Sequence, residues 1–214
     1  MCELVTDRPV LAGVIGPYSL IGRLMGIEDA MMNCFDDPDM VHETLKKGNE
    51  FIIALIKAYK EAGANGVLLA EPLTGMLSPA MADEFSHDYV KEIIDAVQDD
   101  EFAVIYHNCG NNVPLMKKDI YNLGAMGYHF GDVIDMETML KDSPEDALIL
   151  GNISPSAQFL SGTPASMKQA VESLMTRFGG YKNFVLSSGC DIPYQSPWRN
   201  IDAFFEAHKS FRDQ

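Results

Sequence analysis

Six short apolar runs, separated by longer segments of helical period, constrain the fold of this chain more than any other feature. The runs are rich in β-branched residues and cover residues 9–16, 66–71, 102–107, 127–131, 147–153 and 183–189. Apolar residues recur at helical spacing over residues 39–62, 81–97, 164–178 and 201–211. This alternation predicts serial βα units around a parallel sheet.

The spacing of the runs is typical of the (β/α)8 TIM-barrel class, but six units do not close an eight-stranded barrel. We therefore predict an α/β fold, an incomplete TIM barrel of about six βα units. Residues 1–214 are predicted to form a single partial-barrel domain, because no Gly/Ser-rich linker interrupts them. An unpaired parallel edge favours aggregation. Either the chain is part of a longer barrel, or a complementing subunit or second copy covers the gap, or the sheet is open.

The acidic composition limits the partners. A formal net charge of -15 repels phosphate backbones and anionic lipid surfaces, so nucleic acid and membranes are excluded as partners. The N-terminal residues lack the features of a signal peptide, and no apolar stretch is long enough to span a bilayer, which predicts a cytoplasmic protein. The four cysteines are too few for a disulfide scaffold and are more typical of metal ligands or catalytic groups.

Polar residues and glycines collect where the predicted strands end. In a parallel βα fold the active site forms beyond the carboxyl ends of the strands, which meet at one rim. The residues at these ends include Gly16, Pro17, Glu71, His107, Cys109, Asp132, Asn152, Cys190 and Asp191.

His107, Cys109 and Cys190 are the sharpest chemical signal among them. One imidazole and two thiolates suit zinc, and three protein ligands leave a fourth position open for catalysis. Side chains two residues apart on a strand point the same way, so His107 and Cys109 can face one ion, and Cys190 follows the last strand. The alternative is that His107 is a hydrogen-bonded polar residue and that the cysteines are small core residues.

Five segments, in order along the chain, resemble the methylcobamide:coenzyme M methyltransferases, a branch of the uroporphyrinogen decarboxylase superfamily. HNCGNN from His107 and SSGCDIP from Ser187 look like the two zinc-binding signatures of that family. GPYSLIGRLMG from Gly16, AEPLTGMLSPAMADEF from Ala70 and GNISPSAQFLSGTP from Gly151 resemble three further family segments. Family members are longer, and the resemblance implies that this chain lacks their first two βα units.

The resemblance implies a barrel enzyme in which His107, Cys109 and Cys190 hold Zn²⁺. A methylated corrinoid (methylcobamide), usually carried by a separate corrinoid protein, would donate its methyl group to a small-molecule thiol such as coenzyme M. Zinc favours the thiolate form of that thiol, which is the nucleophile. Two departures, Ser154 in place of a frequent carboxylate and Ser188 in place of a common proline, put the identity of the substrate in doubt.

Other polar residues receive less specific interpretations. Glu71 is a candidate catalytic residue, as a fourth zinc ligand or proton acceptor, or else a buried carboxylate that bonds loop amides. Asp191, the second catalytic candidate, either orients a ligand or caps a turn. His129 is expected to be structural, and His87, in a helical segment, is expected at the surface. The residues predicted to shape the rim or contact the corrinoid or substrate are Gly16, Pro17, Tyr18, Asp132 and Asn152.

Three functions are consistent with these observations, and the zinc-dependent methyltransferase is favoured. A decarboxylase of the uroporphyrinogen type shares the fold but relies on carboxylate and arginine side chains and needs no metal, so the H-x-C…C set argues against it. The third is an inactive or partner-dependent fragment of such an enzyme.

Overall fold

The six predicted strands form one sheet in a computed structural model of the chain, which describes residues 2–212. The strands follow one another in sequence order, and the pairings β1–β2, β2–β3 and β5–β6 are parallel. This order confirms the prediction of serial βα units. The strands are β1 Leu11–Ile15, β2 Gly66–Ala70, β3 Ala103–Asn108, β4 Gly127–Phe130, β5 Leu148–Ile153 and β6 Phe184–Ser188.

Nine α-helices lie among residues 2–212. Three of the four predicted helical segments each form a single helix, and the predicted segment 81–97 is divided among two helices and a π-helical turn. The helices are α1 Pro17–Met25, α2 Ile27–Asp36, α3 Pro38–Glu61, α4 Pro79–Ala82, α5 Asp88–Val97, α6 Lys117–Tyr121, α7 Met136–Leu140, α8 Pro164–Phe178 and α9 Trp198–Arg212. Short 3-10 segments cover Pro72–Met76 and Val113–Met116, and π-helical turns cover Asp83–His87 and Pro155–Leu160. Within this part of the chain, no helix combines the length and the apolar character needed to cross a bilayer.

The helix α3 shows how local sequence sets the limits of an element. Pro38 occupies its first turn, and the carboxylate of Asp37 accepts a hydrogen bond from the backbone N–H of Met40 at 3.1 Å. Gly63 follows the helix with φ of 89°, a conformation that glycine adopts without steric cost. The buried face of the helix carries Val41, Leu45, Asn49, Ile52 and Ile56.

The chain divides into two compact units, one up to Tyr128 and the other from His129 onward. In the first unit, α3 packs against α5, whose Val90 and Ile93 are fully buried. In the second unit, α8 and α9 share a core in which the rings of Phe159 and Phe204 lie 5.4 Å apart. Each unit therefore buries apolar surface of its own, and one domain over residues 1–214 stays a prediction.

The expectation that His87 lies at the surface is wrong. Its side chain is 4% exposed, and the neighbouring Phe85 and Ser86 are buried as well. These residues belong to the π-helical turn Asp83–His87, whose wider winding changes which side chains face the interior. A regular helical period does not bury three consecutive positions, so the sequence pattern placed His87 on the outside.

Candidate metal centre and active site

The strand β3 presents His107 near its carboxyl end, and Cys109 follows as the strand ends. His107 pairs with Ala70 of β2 in the sheet register and is 4% exposed. Its carbonyl oxygen accepts a hydrogen bond from the backbone N–H of Glu71 at 2.8 Å. The backbone of β3 thus fixes the position from which the imidazole projects.

The turn after β3 is held by Asn108, a residue that sequence reasoning passed over. This side chain is fully buried, donates a hydrogen bond to the hydroxyl of Tyr106 at 3.0 Å, and accepts one from the backbone N–H of Gly110 at 2.9 Å. The bond to Tyr106 orients the Asn108 side chain, and the bond to Gly110 spans Cys109 and fixes the backbone that follows it. The sequence did contain a signal for this role: an asparagine stands between the two predicted ligands, and asparagine side chains often form hydrogen bonds with nearby backbone groups.

Two glycines let the 3-10 segment Pro72–Met76 lie directly against this turn. A Cβ on Gly110 would lie 2.6 Å from the carbonyl carbon of Gly75, and a Cβ on Gly75 would lie 2.5 Å from the Cα of Gly110. The backbone N–H of Asn112 donates to the carbonyl of Gly75 at 3.2 Å. The turn that carries Cys109 is therefore packed backbone to backbone, with no room for a side chain at either glycine.

Glu71 follows β2 and is fully buried in a cluster of hydrogen-bond donors. Its Oε1 accepts from the backbone N–H groups of Tyr18 at 2.8 Å and Ser19 at 3.2 Å, and Oε2 lies 3.2 Å from the N–H of Ser19. The hydroxyl groups of Thr74 and Ser86 each lie 3.1 Å from Oε1. Both carboxylate oxygens are thus engaged within the protein.

The N–H groups that bond Glu71 belong to the first turn of α1, where unpaired donors and the helix dipole favour a negative charge. Burial raises the pKa of Glu71 to about 7, against the opposing effect of the hydrogen bonds from Ser19, Ser86 and Thr74. Gly16 is needed beside it, because a Cβ there would collide with Oε2. These contacts match the interpretation of Glu71 as a buried carboxylate that bonds loop amides.

Pro17 and Tyr18 are buried at the start of α1 rather than exposed to solvent. The Tyr18 side chain is 1% exposed, and its hydroxyl lies 3.6 Å from Sγ of Cys34. Burial raises the pKa of Tyr18, so the hydroxyl is protonated at neutral pH. A corrinoid contact by this segment stays a prediction.

In the second unit, Cys190 follows β6 and is half-buried. The preceding Gly189 donates its N–H to the carbonyl of Ile153 at 2.7 Å, which continues the pairing of β5 with β6. A Cβ on Gly189 would lie 2.5 Å from the backbone nitrogen of Asp132, so the backbones approach closely here as well. Asp132 therefore lies beside the segment that carries Cys190, and its side chain is exposed.

The side chain of Asn152, in β5, bonds to the loop that follows β4. Its Nδ2 donates to the carbonyl groups of Gly131 at 2.8 Å and Ile134 at 2.6 Å. His129 is 6% exposed, and its Nε2 lies 2.6 Å from the carbonyl oxygen of Ser188, which agrees with the structural role predicted for it. Asn152 thus orders the loop of Asp132, while contacts of Asp132 and Asn152 with a corrinoid stay predictions.

His107, Cys109 and Cys190 form a donor set whose potential ligand atoms all lie within 4.8 Å of one another. Zinc bond lengths of about 2.0–2.3 Å in a tetrahedral site place the ligand atoms roughly 3.5–3.8 Å apart. The residue types of the donor set, one imidazole and two thiolates, fit zinc.

Residues 2–211 match the protein family described as Uroporphyrinogen decarboxylase (URO-D). The methylcobamide:CoM methyltransferase MtbA of Methanosarcina acetivorans is 28% identical over 212 residues, which cover 96% of this chain and 59% of that protein. A uroporphyrinogen decarboxylase of Synechococcus sp. is 27% identical over 184 residues, which cover 84% of this chain and 50% of that protein.

Among solved structures, a methyltransferase from Methanosarcina mazei matches with a TM-score of 0.86 at 24% identity, over 98% of this chain and 61% of the other. The match confirms the predicted TIM-barrel-type fold. The chain spans about three-fifths of the length of these methyltransferases.

Proposed function

Because the chain belongs to the uroporphyrinogen decarboxylase family, we propose that it transfers a methyl group from a methylated corrinoid to a thiol, with zinc held by His107, Cys109 and Cys190. The donor set carries this proposal, because its ligand atoms lie within 4.8 Å of one another. Two thiolates and an imidazole favour zinc over hard cations such as magnesium. The similarity to MtbA over 96% of the chain supports the same chemistry.

When bound, zinc would supply Lewis acidity that favours the thiolate form of a thiol substrate such as coenzyme M. In the proposed reaction the thiol would release its proton to solvent, and its sulfur would form a bond to the methyl carbon. The methylated corrinoid would supply that methyl group and keep the electron pair of the broken carbon–cobalt bond. The corrinoid would arrive on a separate protein partner.

The chain itself contributes a fixed backbone at the turn that carries Cys109. Asn108 and the contact between Gly75 and Gly110 hold the turn of Cys109, so little side-chain ordering is left for the moment of binding. Glu71 is assigned a positioning role, because donors within the protein occupy both of its oxygens. The exposed Asp132 and Asp191 stay candidates for contacts to the corrinoid or the thiol.

Metal analysis tests the donor set directly. Protein purified under anaerobic, reducing conditions without added zinc is expected to contain stoichiometric zinc. The variants His107→Ala and Cys190→Ser should each contain about one zinc ion fewer per chain than the wild type, whereas Cys2→Ser, which removes a cysteine outside the donor set, should match the wild type. Folded wild-type protein without zinc, or the full wild-type zinc content in both ligand variants, contradicts the assignment.

Turnover is a separate question from metal binding. Methylcobalamin and coenzyme M should yield cobalt(I), seen by its absorbance, and methylated coenzyme M, with both products absent for Cys190→Ser. Decarboxylation is the second candidate, because the Synechococcus decarboxylase matches 84% of this chain. Release of carbon dioxide from uroporphyrinogen by the wild-type protein and by both ligand variants alike would favour it. Zinc binding with neither reaction would leave the partner-dependent fragment that the sequence also allows.

A further inference from the structure

A small acidic cavity in the first unit lies apart from the proposed zinc ligands along the chain. Its volume is about 90 Å³, and its lining includes Asp83, His87, Asp88, Lys91 and Asp119. These residues come from the π-helical turn Asp83–His87 and from the helices α5 and α6. The methyl-transfer proposal uses none of them.

His87 is the unusual member of this lining. Its side chain is 4% exposed, and neither Nδ1 nor Nε2 has a hydrogen-bond partner among residues 2–212. A carboxylate oxygen of Asp83 lies 3.8 Å from Nδ1, which is too long for a hydrogen bond. Buried polar atoms in folded proteins are nearly always paired, so an unpaired imidazole that lines an acidic cavity points to a ligand.

The charges around His87 favour a cation. Three carboxylates face one ammonium group across the cavity, and that group, Nζ of Lys91, is bonded to Asp95 one helical turn further on at 3.3 Å. Burial lowers the pKa of His87, an effect that Asp119 and Asp83 oppose. A neutral imidazole offers a nitrogen lone pair, which is what a metal ion requires.

We propose that this cavity binds a divalent first-row transition-metal ion through the imidazole of His87 and the carboxylates of Asp83 and Asp119. Asp83 and His87 are four residues apart in a helical turn, the spacing that places two side chains on one face. Asp119 contributes a third ligand from α6. One nitrogen and two carboxylate oxygens suit zinc, cobalt or manganese, and water completes the coordination in a cavity of this size.

The test measures zinc binding after removal of the thiolate ligands. The triple variant His107→Ala/Cys109→Ser/Cys190→Ser is titrated with Zn²⁺ by calorimetry and is expected to bind one Zn²⁺ ion in the cavity. Adding His87→Gln or Asp119→Asn should weaken that binding by about tenfold or more. Adding Asp100→Asn, which removes an exposed carboxylate outside the cavity, should leave it unchanged. Equal affinity in all of these proteins, or no binding in the triple variant, overturns the proposal.

A second measurement applies if the triple variant does not fold. Wild-type protein is dialysed against Co²⁺, where thiolate ligands give a near-ultraviolet charge-transfer band. The cavity predicts an additional bound Co²⁺ that adds no intensity to that band and is lost in Asp119→Asn. Absence of the additional ion, or its retention in Asp119→Asn, refutes the site.

Discussion

Replacing Gly16 by alanine is predicted to destabilise the first unit, whereas the same change at Gly13 is not. A Cβ on Gly16 would collide with Oε2 of Glu71 and lie 2.7 Å from its Cδ, while a Cβ on Gly13 meets no atom within 4 Å. The carboxylate cannot move aside freely, because the N–H groups of Tyr18 and Ser19 hold it. The two glycines therefore form a matched pair.

The magnitude follows from two contributions. Forcing one methyl group into a packed interior costs about 1–3 kcal/mol, and each buried donor left without its acceptor costs about 1–3 kcal/mol more. We expect Gly16→Ala to lower the free energy of unfolding by about 2–4 kcal/mol, or the melting temperature by roughly 10 °C. Gly13→Ala should stay within about 1 kcal/mol of wild type, because its only effect is on backbone entropy.

Urea denaturation measures this difference. Far-ultraviolet circular dichroism reports both units, whereas fluorescence of Trp198, the single tryptophan, reports the second unit. The expected loss should shrink below about 1 kcal/mol in a Glu71→Ala background, where the colliding carboxylate is gone. Equal stability of Gly16→Ala and Gly13→Ala, or an undiminished loss without the Glu71 carboxylate, would refute the reasoning.

Three further changes probe the second unit and the ligand turn. Asn108→Ala should weaken zinc binding by about tenfold or more, because the turn of Cys109 loses both hydrogen bonds of the Asn108 side chain. Competition with a chelator measures this affinity. An equal effect of Asn111→Ala, which changes an exposed residue of the same segment, would contradict the prediction. Asn200→Ala should lower the free energy of unfolding by about 2–4 kcal/mol, since the buried Nδ2 of Asn200 lies within hydrogen-bond distance of three backbone carbonyls. A loss below about 0.5 kcal/mol in urea denaturation would show that those carbonyls find other donors. Asp135 caps α7, and the hydrogen bond from the side chain of Thr138 lowers the pKa of Asp135. The ionised carboxylate therefore stabilises the fold fully at pH values above the ordinary pKa of 3.8, and this stabilisation is lost as the pH falls through the lowered pKa. Asp135→Asn should keep the cap while removing this acid dependence, Asp135→Ala should cost about 1 kcal/mol at pH 7, and an unchanged acid dependence of unfolding in Asp135→Asn would contradict the assignment.

Hydrophobic period predicted the strands and the long helices, because burial on one face repeats over many residues there. The short helices α1 and α2 were not predicted. They follow each other directly, and Gly26 with φ of 98° separates them before a helical period can accumulate. The run that forms the strand β4 shows no alternation, since all four of its residues are buried.

For the site, chemistry selected His107, Cys109 and Cys190 because few other residue types suit zinc. Contacts between residues far apart in sequence could not be predicted in the same way. Nothing in a single sequence shows that Gly75 lies against Gly110, or that the π-helical turn buries His87. For Glu71 the sequence left two interpretations open, and its hydrogen bonds to the first turn of α1 match the structural one.

The segment HNCGNN therefore performs two separate tasks. His107 and Cys109 supply donor atoms, while Asn108, Gly110 and Asn112 fix the backbone between and after them. The spacing H-x-C alone does not produce this turn, since a side chain at Gly110 would meet the backbone of the 3-10 segment Pro72–Met76. In a chain with the same ligands but a larger residue in place of Gly110, the turn of Cys109 and the 3-10 segment must move apart by a large fraction of an ångström or more. Metal geometry tolerates little error of that kind, so the glycine and the asparagines help to specify the site although they supply no ligand.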